Sequence, residues 1–223
     1  MNPRKNGKTA GTRFDRRFLL KAFVGVGVGA ATGAAEYGFL HERHHLEVTR
    51  TAMPVSALPE ALRGFRIGVI TDVHRSQTVS HEMVTAAVQT LMAERPDLIV
   101  LGGDYVSWRD NRYVQPAADA LAPLSAPHGV MAILGNHDDD RDMPAALAAK
   151  GFTVLKDART RIVVRGEPMD FAGIRYWTHK VGDVAHVLRG AVPYAILLAH
   201  TPKRLVEAQQ LAVPAVILSL IHI

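Results

Sequence analysis

Short apolar runs, each followed at once by small or polar side chains, recur through the middle of the chain. The first three runs are residues 67–70, 98–101 and 130–134. Apolar character without interruption over so few residues predicts strands buried on both faces, as in a parallel sheet. Three stretches after these runs have apolar positions at helical spacing, namely residues 80–94, 117–124 and 143–150. This alternation predicts an α/β fold.

The pattern changes after Gly151. Short strand candidates separated by turn residues follow there, at residues 152–155, 160–164 and 169–172. They favour a more antiparallel portion of the fold. A short helix at 183–189, a buried strand at 194–198 and a further strand at 211–218 come next. Upstream, the alternation at residues 46–49 predicts an edge strand. Residues 58–62 are predicted to form a single helical turn.

Each apolar run leads into side chains that bind metal ions. Asp72 and His74 follow the first run, Asp104 the second, Asn136 the third, and His200 the run at 194–198. The carboxyl ends of parallel strands open onto one crevice, so we expect these side chains to converge. The chain has no cysteine. Carboxylate, amide and imidazole donors without thiolates suit Mn, Fe or Zn.

Taken together and in this order, the motifs resemble the calcineurin-like metallophosphoesterase superfamily. The motifs are Asp72-x-His74, Gly103-Asp104, Gly135-Asn136-His137-Asp138 and Ala199-His200-Thr201-Pro202. The basic leader and Gly64-Phe65-Arg66-Ile67 are similar to an exported bacterial phosphodiesterase branch of that superfamily. The resemblance covers residues 46–218. It implies a four-layer αββα sandwich whose last strands are missing from this chain.

The resemblance also implies a reaction and a set of metal ligands. Two divalent ions, Mn, Fe or Zn, would hydrolyse a phosphoester, by preference a phosphodiester, through a hydroxide that bridges them. Asp72 and His74 would hold the first ion. Asn136 and His200 would hold the second, and Asp104 would bridge both.

Three residues close to these ligands also need an interpretation. His137 would stand beside the phosphoryl group, stabilising its charge or protonating the leaving oxygen. We expect Asp138 to orient this loop or this histidine. Arg75 departs from the family pattern; we interpret it as an exposed loop arginine, with a substrate-phosphate contact as the alternative.

Residues 1–45 are expected to be a leader and linker. Arg16 and Arg17 precede an apolar run at 22–35 and resemble a twin-arginine export signal, although Asp15 and Leu19 depart from its usual residues. The translocon is then a partner, and the protein is periplasmic or on the outer face of the cytoplasmic membrane. An uncleaved run at 22–35 would associate with the membrane. An ordinary anchor or a chance arginine pair is the alternative.

The distribution of charge argues against nucleic acid as a partner. The whole chain carries +5, but residues 1–21 hold seven basic residues and one acid, so the remainder is slightly negative. Nucleic-acid binding would need a basic face within the fold. The expected partner is instead a phosphoester substrate, and an exported location favours envelope or phospholipid-like phosphodiesters.

The end of the printed sequence departs from the family. There a Gly-His-x-His block would follow Ser219 and add one ligand to each ion, but Ile221 and Ile223 occupy the two histidine positions. We expect residues 219–223 to be a non-native tail, similar to translated sequencing-adapter DNA, on an incomplete domain. The competing function is a non-catalytic metal-binding or interaction domain, or an inactive fragment.

Overall fold

The computed structural model describes residues 46–219, and the compact unit that they form begins at Val48. The predictions for the leader, including Arg16 and Arg17, and for the Gly-His-x-His positions lie outside the described residues. The strands β1 to β8 are Ile67–Ile70, Leu98–Leu101, Val130–Ala132, Thr153–Val154, Ala158–Val164, Glu167–Gly173, Ile196–Ala199 and Ala215–Leu218. The helices α1 to α5 are His81–Ala93, Val114–Leu121, Asp142–Ala149, Val181–Leu188 and Leu205–Gln210. Within residues 46–219, every helix is too short or too polar to cross a membrane.

The strands form two four-stranded sheets. The first has the order β1-β2-β3-β4, and all of its strands are parallel. The second has the order β5-β6-β7-β8, in which only the β5–β6 hairpin is antiparallel. The antiparallel portion predicted after Gly151 is therefore confined to this hairpin. Helices α4 and α5 connect the later strands as crossovers, which keeps β6, β7 and β8 parallel.

Three apolar clusters show how the layers stack. The first joins α1, α2 and α3 to one face of the first sheet, through residues such as Val88, Leu121 and Leu101. The second lies between the sheets, where Val100 and Met131 share a cluster with Phe171. The third joins α4 and α5 to the outer face of the second sheet. The order is helices, sheet, sheet, helices, which confirms the four-layer αββα prediction.

Two local predictions are wrong. Residues 46–49 form no strand with any part of the described chain, because four alternating residues do not by themselves provide a partner. Strand β1 is not buried on both faces, since Val69 is 40% exposed. Because β1 is the edge strand of the first sheet, it is covered less completely than β2, whose residues are all buried.

The helix ends are set by capping groups. Helix α1 begins after Ser80, whose hydroxyl accepts the backbone N–H of Met83 at 3.3 Å. Helix α3 begins at Asp142, and the carboxylate of Asp139 just before it accepts the N–H groups of Arg141 and Met143 at 2.9 and 3.2 Å. These caps hold the chain where it leaves the loops that follow β1 and β3.

Candidate metal centre

The predicted ligands come together at one edge of the two sheets. Residues Ile70, Leu101 and Ala132 lie side by side in the register of the first sheet, so three ligand-bearing loops start at the same level. His200 comes from the end of β7 in the second sheet. Its Nδ1 lies 2.8 Å from the carbonyl oxygen of Gly102. Since a carbonyl only accepts, Nδ1 carries the hydrogen, and Nε2 of the neutral ring is free to bind a metal.

Asp104 is at the centre of the cluster. Ligand atoms of Asp72, His74 and Asp104 all lie within 4.8 Å of one another. Oδ2 of Asp104 is 3.6 Å from Nε2 of His74 and 3.2 Å from Nε2 of His200. Its other oxygen accepts the backbone N–H of His137 at 2.8 Å. One carboxylate oxygen thus faces an imidazole from each sheet.

Three of these residues have left-handed backbone conformations. The φ angles of Asp72, His74 and Asp104 are 54°, 47° and 56°. Non-glycine residues adopt this region rarely, and such residues cluster at functional sites. Backbone hydrogen bonds hold the strained loops together, from Asp72 N to Gly103 O at 3.0 Å and from His74 N to Asp104 O at 2.9 Å.

Two glycines allow the second and third loops to touch. A Cβ on Gly103 would lie 2.4 Å from the backbone nitrogen of Gly135, and one on Gly135 would lie 2.1 Å from Oδ1 of Asp104. Gly103 also has a φ of 96°, which an L side chain rarely adopts. Any side chain at either position would therefore push Asp104 away from the cluster.

Asp138 joins the same two loops through hydrogen bonds to their backbones. It is 2% exposed, and its carboxylate accepts the backbone N–H groups of Asp104, Tyr105 and Gly135 at 2.8, 2.8 and 2.9 Å. Burial raises the pKa of Asp138 to about 6, although the three N–H groups oppose the shift. Asp138 thus orients the loop, as expected, and also positions the backbone of Asp104.

Asp104 and His200 shift each other's titration. Burial alone would raise the pKa of Asp104, but hydrogen bonds from the protonated ring of His200 and from the His137 N–H outweigh it and lower the pKa. Burial alone would lower the pKa of His200, but its bonds to Asp104 and Gly102 raise it overall. The arrangement favours an ionised Asp104, which is the form that binds metals, whereas His200 binds a metal only once its Nε2 proton has left.

His137 is held at the rim of the cluster. Its Nδ1 accepts the backbone N–H of Trp108 at 2.9 Å. The neutral ring must then carry its hydrogen on Nε2. The ring packs edge-on against His74 and against Trp108, with centroids 4.9 and 4.8 Å apart. His137 therefore has a fixed tautomer and two aromatic neighbours.

Asn136 is placed differently from the other predicted ligands. Its side chain is exposed and makes no hydrogen bond to any residue in the range 46–219. Its two neighbours in sequence are anchored, because Gly135 donates to Asp138 and His137 donates to Asp104. The structure fixes the backbone of Asn136 beside Asp104 but does not join its side chain to the cluster.

The exposed-loop interpretation of Arg75 is wrong. The side chain is half-buried, and its NH1 donates to the carbonyl oxygens of Ser76 and, at 2.5 Å, of Val79. Its guanidinium lies 5.2 Å from the centre of the Tyr113 ring. The side chain braces its own loop and does not point to solvent.

Several contacts of the cluster were not foreseen from the sequence. Thr71 and Ser219 both donate to Oδ2 of Asp72, the former at 2.7 Å, so the end of β8 reaches the loop after β1. Ser107 lies 3.5 Å from Nδ1 of His74. The available signal was the position of Ser107 and Trp108 in a polar loop a few residues after Asp104.

The family is shown by comparison with known proteins. The profile of the calcineurin-like phosphoesterase family matches residues 65–204, and the chain belongs to this family. The uncharacterized metallophosphoesterase YkuE of Bacillus subtilis is 30% identical over 167 residues, which cover 71% of this chain and 58% of YkuE. Phosphodiesterase YaeI of Escherichia coli is 30% identical over 115 residues, covering 49% and 43%. The chain spans about half the length of the curated relatives it matches.

A solved structure agrees on the fold. The NAD nucleotidase NadN of Haemophilus influenzae superimposes with a TM-score of 0.52 over 71% of this chain and 38% of its own. The sequence identity is 15%, so this likeness concerns the fold alone. The resemblance inferred from the motifs is confirmed for the family.

Proposed function

We propose that this protein is a metal-dependent phosphodiesterase with a dinuclear centre. The observation that carries the proposal is the position of Asp104, whose Oδ2 faces Nε2 of His74 on one side and Nε2 of His200 on the other. A carboxylate shared in this way is suited to bridge two ions. YaeI, a relative of the chain, is named a phosphodiesterase.

The residues present fit divalent metal ions. Two carboxylates and two imidazoles converge, the backbone around them is strained, and the chain has no thiolate that would favour softer metals. Asp72 and His74 would hold one ion, His200 and Asn136 the other, and Asp104 both. When bound, the two ions, Mn, Fe or Zn, supply a hydroxide nucleophile at neutral pH and neutralise phosphoryl charge.

His137 is proposed to act directly on the substrate. The Trp108 N–H occupies Nδ1, so Nε2–H is the group that can donate to a phosphoryl oxygen or to the leaving oxygen. Positioned proton donors contribute about 10²–10⁴-fold to such reactions. Asp138 keeps this donor at a constant distance from Asp104, because it binds the backbone of both loops.

The proposed location and substrate follow from the leader. With Arg16 and Arg17 proposed to direct twin-arginine export, the protein is proposed to act in the periplasm or on the outer face of the cytoplasmic membrane. Phosphodiesters of the envelope, including phospholipid-like ones, are then the accessible substrate class. The slightly negative chain beyond the leader supports a small-molecule or lipid phosphoester over nucleic acid.

A histidine substitution tests the proposed chemistry. In protein produced from the native gene, His137→Asn should lower kcat for bis(p-nitrophenyl) phosphate with Mn²⁺ by about 100-fold. Bound metal should stay at the wild-type level, because His137 is not a proposed ligand. The matched control is His186→Asn, an exposed histidine on α4, which should leave kcat unchanged. Unchanged kcat in His137→Asn would contradict the role given to this residue.

A further inference from the structure

A pocket opens beside the candidate metal centre. It has a volume of about 430 Å³ and is formed by the loop after β1, at residues 76–78, and the segment at residues 107–113. This volume is within the range of small-molecule sites. None of these residues belongs to the motifs that carry the family resemblance.

The pocket adjoins the reacting centre. Ser107, which lines the pocket, lies 3.5 Å from His74, and the ring of Trp108 packs at 4.8 Å on His137. A phosphoryl group bound next to His74 and His137 would therefore place one of its ester groups at the entrance of this pocket. The pocket is the space next to the scissile bond that the metal ligands do not occupy.

The aromatic part of the lining includes a tryptophan that faces solvent. Trp108 is 85% exposed, although its backbone is pinned by the N–H donated to His137. Tyr113 lines the other side of the pocket, and its ring is held by the guanidinium of Arg75. A solvent-facing indole ring suits stacking on the flat face of a ligand ring.

The polar part of the lining is mostly neutral. Ser76, Gln77, Thr78 and Ser107 present hydroxyl and amide groups. Among the residues that line the pocket, Arg112 is the one cation, and its guanidinium is paired with Asp110 at 2.6 Å. Hydroxyl and amide groups bind the hydroxyls of a sugar, whereas a second phosphate would call for an unpaired cation.

Hydrogen bonds within the loop after β1 stabilise its conformation. Arg75 donates to two carbonyl oxygens of residues 76–79, and the N–H of Val79 returns to the hydroxyl of Ser76 at 3.3 Å. Ser80 then caps α1. Polar groups on a braced loop lose little conformational freedom when a ligand binds.

We propose that this pocket binds the neutral, hydroxyl-bearing ring of the substrate's alcohol portion, a sugar or a nucleoside, with Trp108 as the stacking residue. The proposal rests on the proposed phosphodiesterase function and adds the class of ester group that the site prefers. The favoured substrate is a phosphodiester with one ring-bearing alcohol, in preference to a diester of small alkyl groups.

Two diesters with the same leaving group test this preference. Thymidine 5′-(p-nitrophenyl) phosphate and methyl p-nitrophenyl phosphate both release p-nitrophenolate, so the ratio of their kcat/KM values isolates the second ester group. Trp108→Ala should lower this ratio about tenfold, as expected for the loss of one stacking contact. The matched control, Trp177→Ala, removes an exposed tryptophan outside the pocket and should leave the ratio unchanged. An unchanged ratio in Trp108→Ala overturns the proposal.

A binding measurement keeps the pocket testable apart from catalysis. The chain has two tryptophans, so Trp177→Phe leaves Trp108 as the sole reporter and Trp108→Phe leaves Trp177. Thymidine should change the fluorescence of the first variant saturably and that of the second not at all. A similar response to methyl glucoside identifies a sugar-ring site, and a response to thymidine alone identifies a nucleobase site.

The outcomes separate the two proposals. Saturable binding without hydrolysis of either diester would refute the phosphodiesterase function and support the pocket. Hydrolysis with no fluorescence response from Trp108 to either ligand would support the function and refute the pocket. An equal response in the variant that retains only Trp177 would also refute it, because that residue does not line the pocket.

Discussion

Asp72, His74 and Asp104 each keep a left-handed backbone, which costs on the order of 1 kcal/mol per residue outside glycine. Their loops retain this conformation because backbone hydrogen bonds and the buried Asp138 carboxylate bind them to one another. The strain turns side chains from adjacent loops toward a common point. At this scale the candidate site depends as much on backbone geometry as on the identity of its ligands.

Asp104 provides the sharpest test of a single residue. Asp104→Asn should remove most bound metal and nearly all hydrolysis, because the amide lacks the charge that two ions would share and offers one acceptor oxygen in place of two. The measurements are metal content by mass spectrometry and turnover of bis(p-nitrophenyl) phosphate. Asp119→Asn, at a half-exposed position on α2 paired with Lys150, is the control. Wild-type metal content and turnover in Asp104→Asn would refute the bridging role.

The ligand types were predictable from the sequence, whereas their arrangement was not. A carboxylate or imidazole directly after a buried strand is visible in the sequence, and the structure brings together Asp72, His74, Asp104 and His200 in this way. The left-handed φ angles and the Trp108 N–H on His137 depend on contacts between loops about 30 residues apart. No local pattern encodes such contacts. The exposed side chain of Asn136 could not be foreseen for the same reason.

The hairpin of β5 and β6 shows what holds an element in place. Asp170 on β6 is fully buried and lies opposite Arg161 in the strand register. It accepts two hydrogen bonds of 2.8 Å from Arg161, lies 3.1 Å from Arg159, and accepts the Val192 N–H at 2.8 Å. One carboxylate thereby joins the hairpin to the segment that precedes β7.

Asp170 should stabilise the fold in a pH-dependent way. Burial opposes ionisation, but the bonds from Arg161 and Val192 and the charge of Arg159 outweigh it and lower the pKa of Asp170 below its usual value. A lowered folded-state pKa adds stability above the unfolded value of about 3.9, and this stability is lost as the pH falls through the folded-state pKa. Asp170→Asn should therefore lower the free energy of unfolding by about 2 kcal/mol at pH 7, and by less below a pH of about 3.9.

Urea unfolding at several pH values measures this effect. Glu60→Gln removes a carboxylate from the exposed pair with Arg63 and serves as the control with little change in unfolding free energy. If Asp170→Asn causes a negligible loss of unfolding free energy at neutral pH, or a loss that grows on acidification, the account of this hairpin is contradicted.

At the level of elements, the sequence predicted the buried strands and their crossover helices well. Apolar runs without polar interruption marked β2, β3 and β7, which are buried throughout. The errors fall at edges. Strand β1 is partly exposed and residues 46–49 have no strand partner, because the position of a strand in a sheet is set by distant pairing. The cross-strand pair of Asp170 and Arg161 likewise needs the register to be known.

At the scale of the molecule, both sheets contribute residues to the candidate site. The first sheet supplies Asp72, His74, Asp104 and the loop of His137, and the second supplies His200. The apolar layer between the sheets, with Val100, Met131 and Phe171, sets their separation. The site therefore forms only when both sheets pack.

Export is the prediction that concerns the whole chain. Changing both Arg16 and Arg17 to Lys should leave the protein in the cytoplasm, because the twin-arginine route reads the arginine pair. Cell fractionation with immunoblotting gives the distribution. Changing Arg4 and Arg13 to Lys preserves the leader's charge outside the pair and should not affect export. Normal export of the Arg16 and Arg17 variant, or export in cells that lack the translocon, would indicate a different signal.

The central claim is that two divalent ions at Asp104 make this protein a phosphodiesterase, and a metal titration tests it most directly. Metal-depleted protein produced from the native gene should not hydrolyse bis(p-nitrophenyl) phosphate. Added Mn²⁺ should restore turnover, with the maximum reached when two ions are bound per chain. Hydrolysis that persists without metal would contradict the account, as would two bound ions with no turnover of this diester, the result expected of a non-catalytic metal-binding domain.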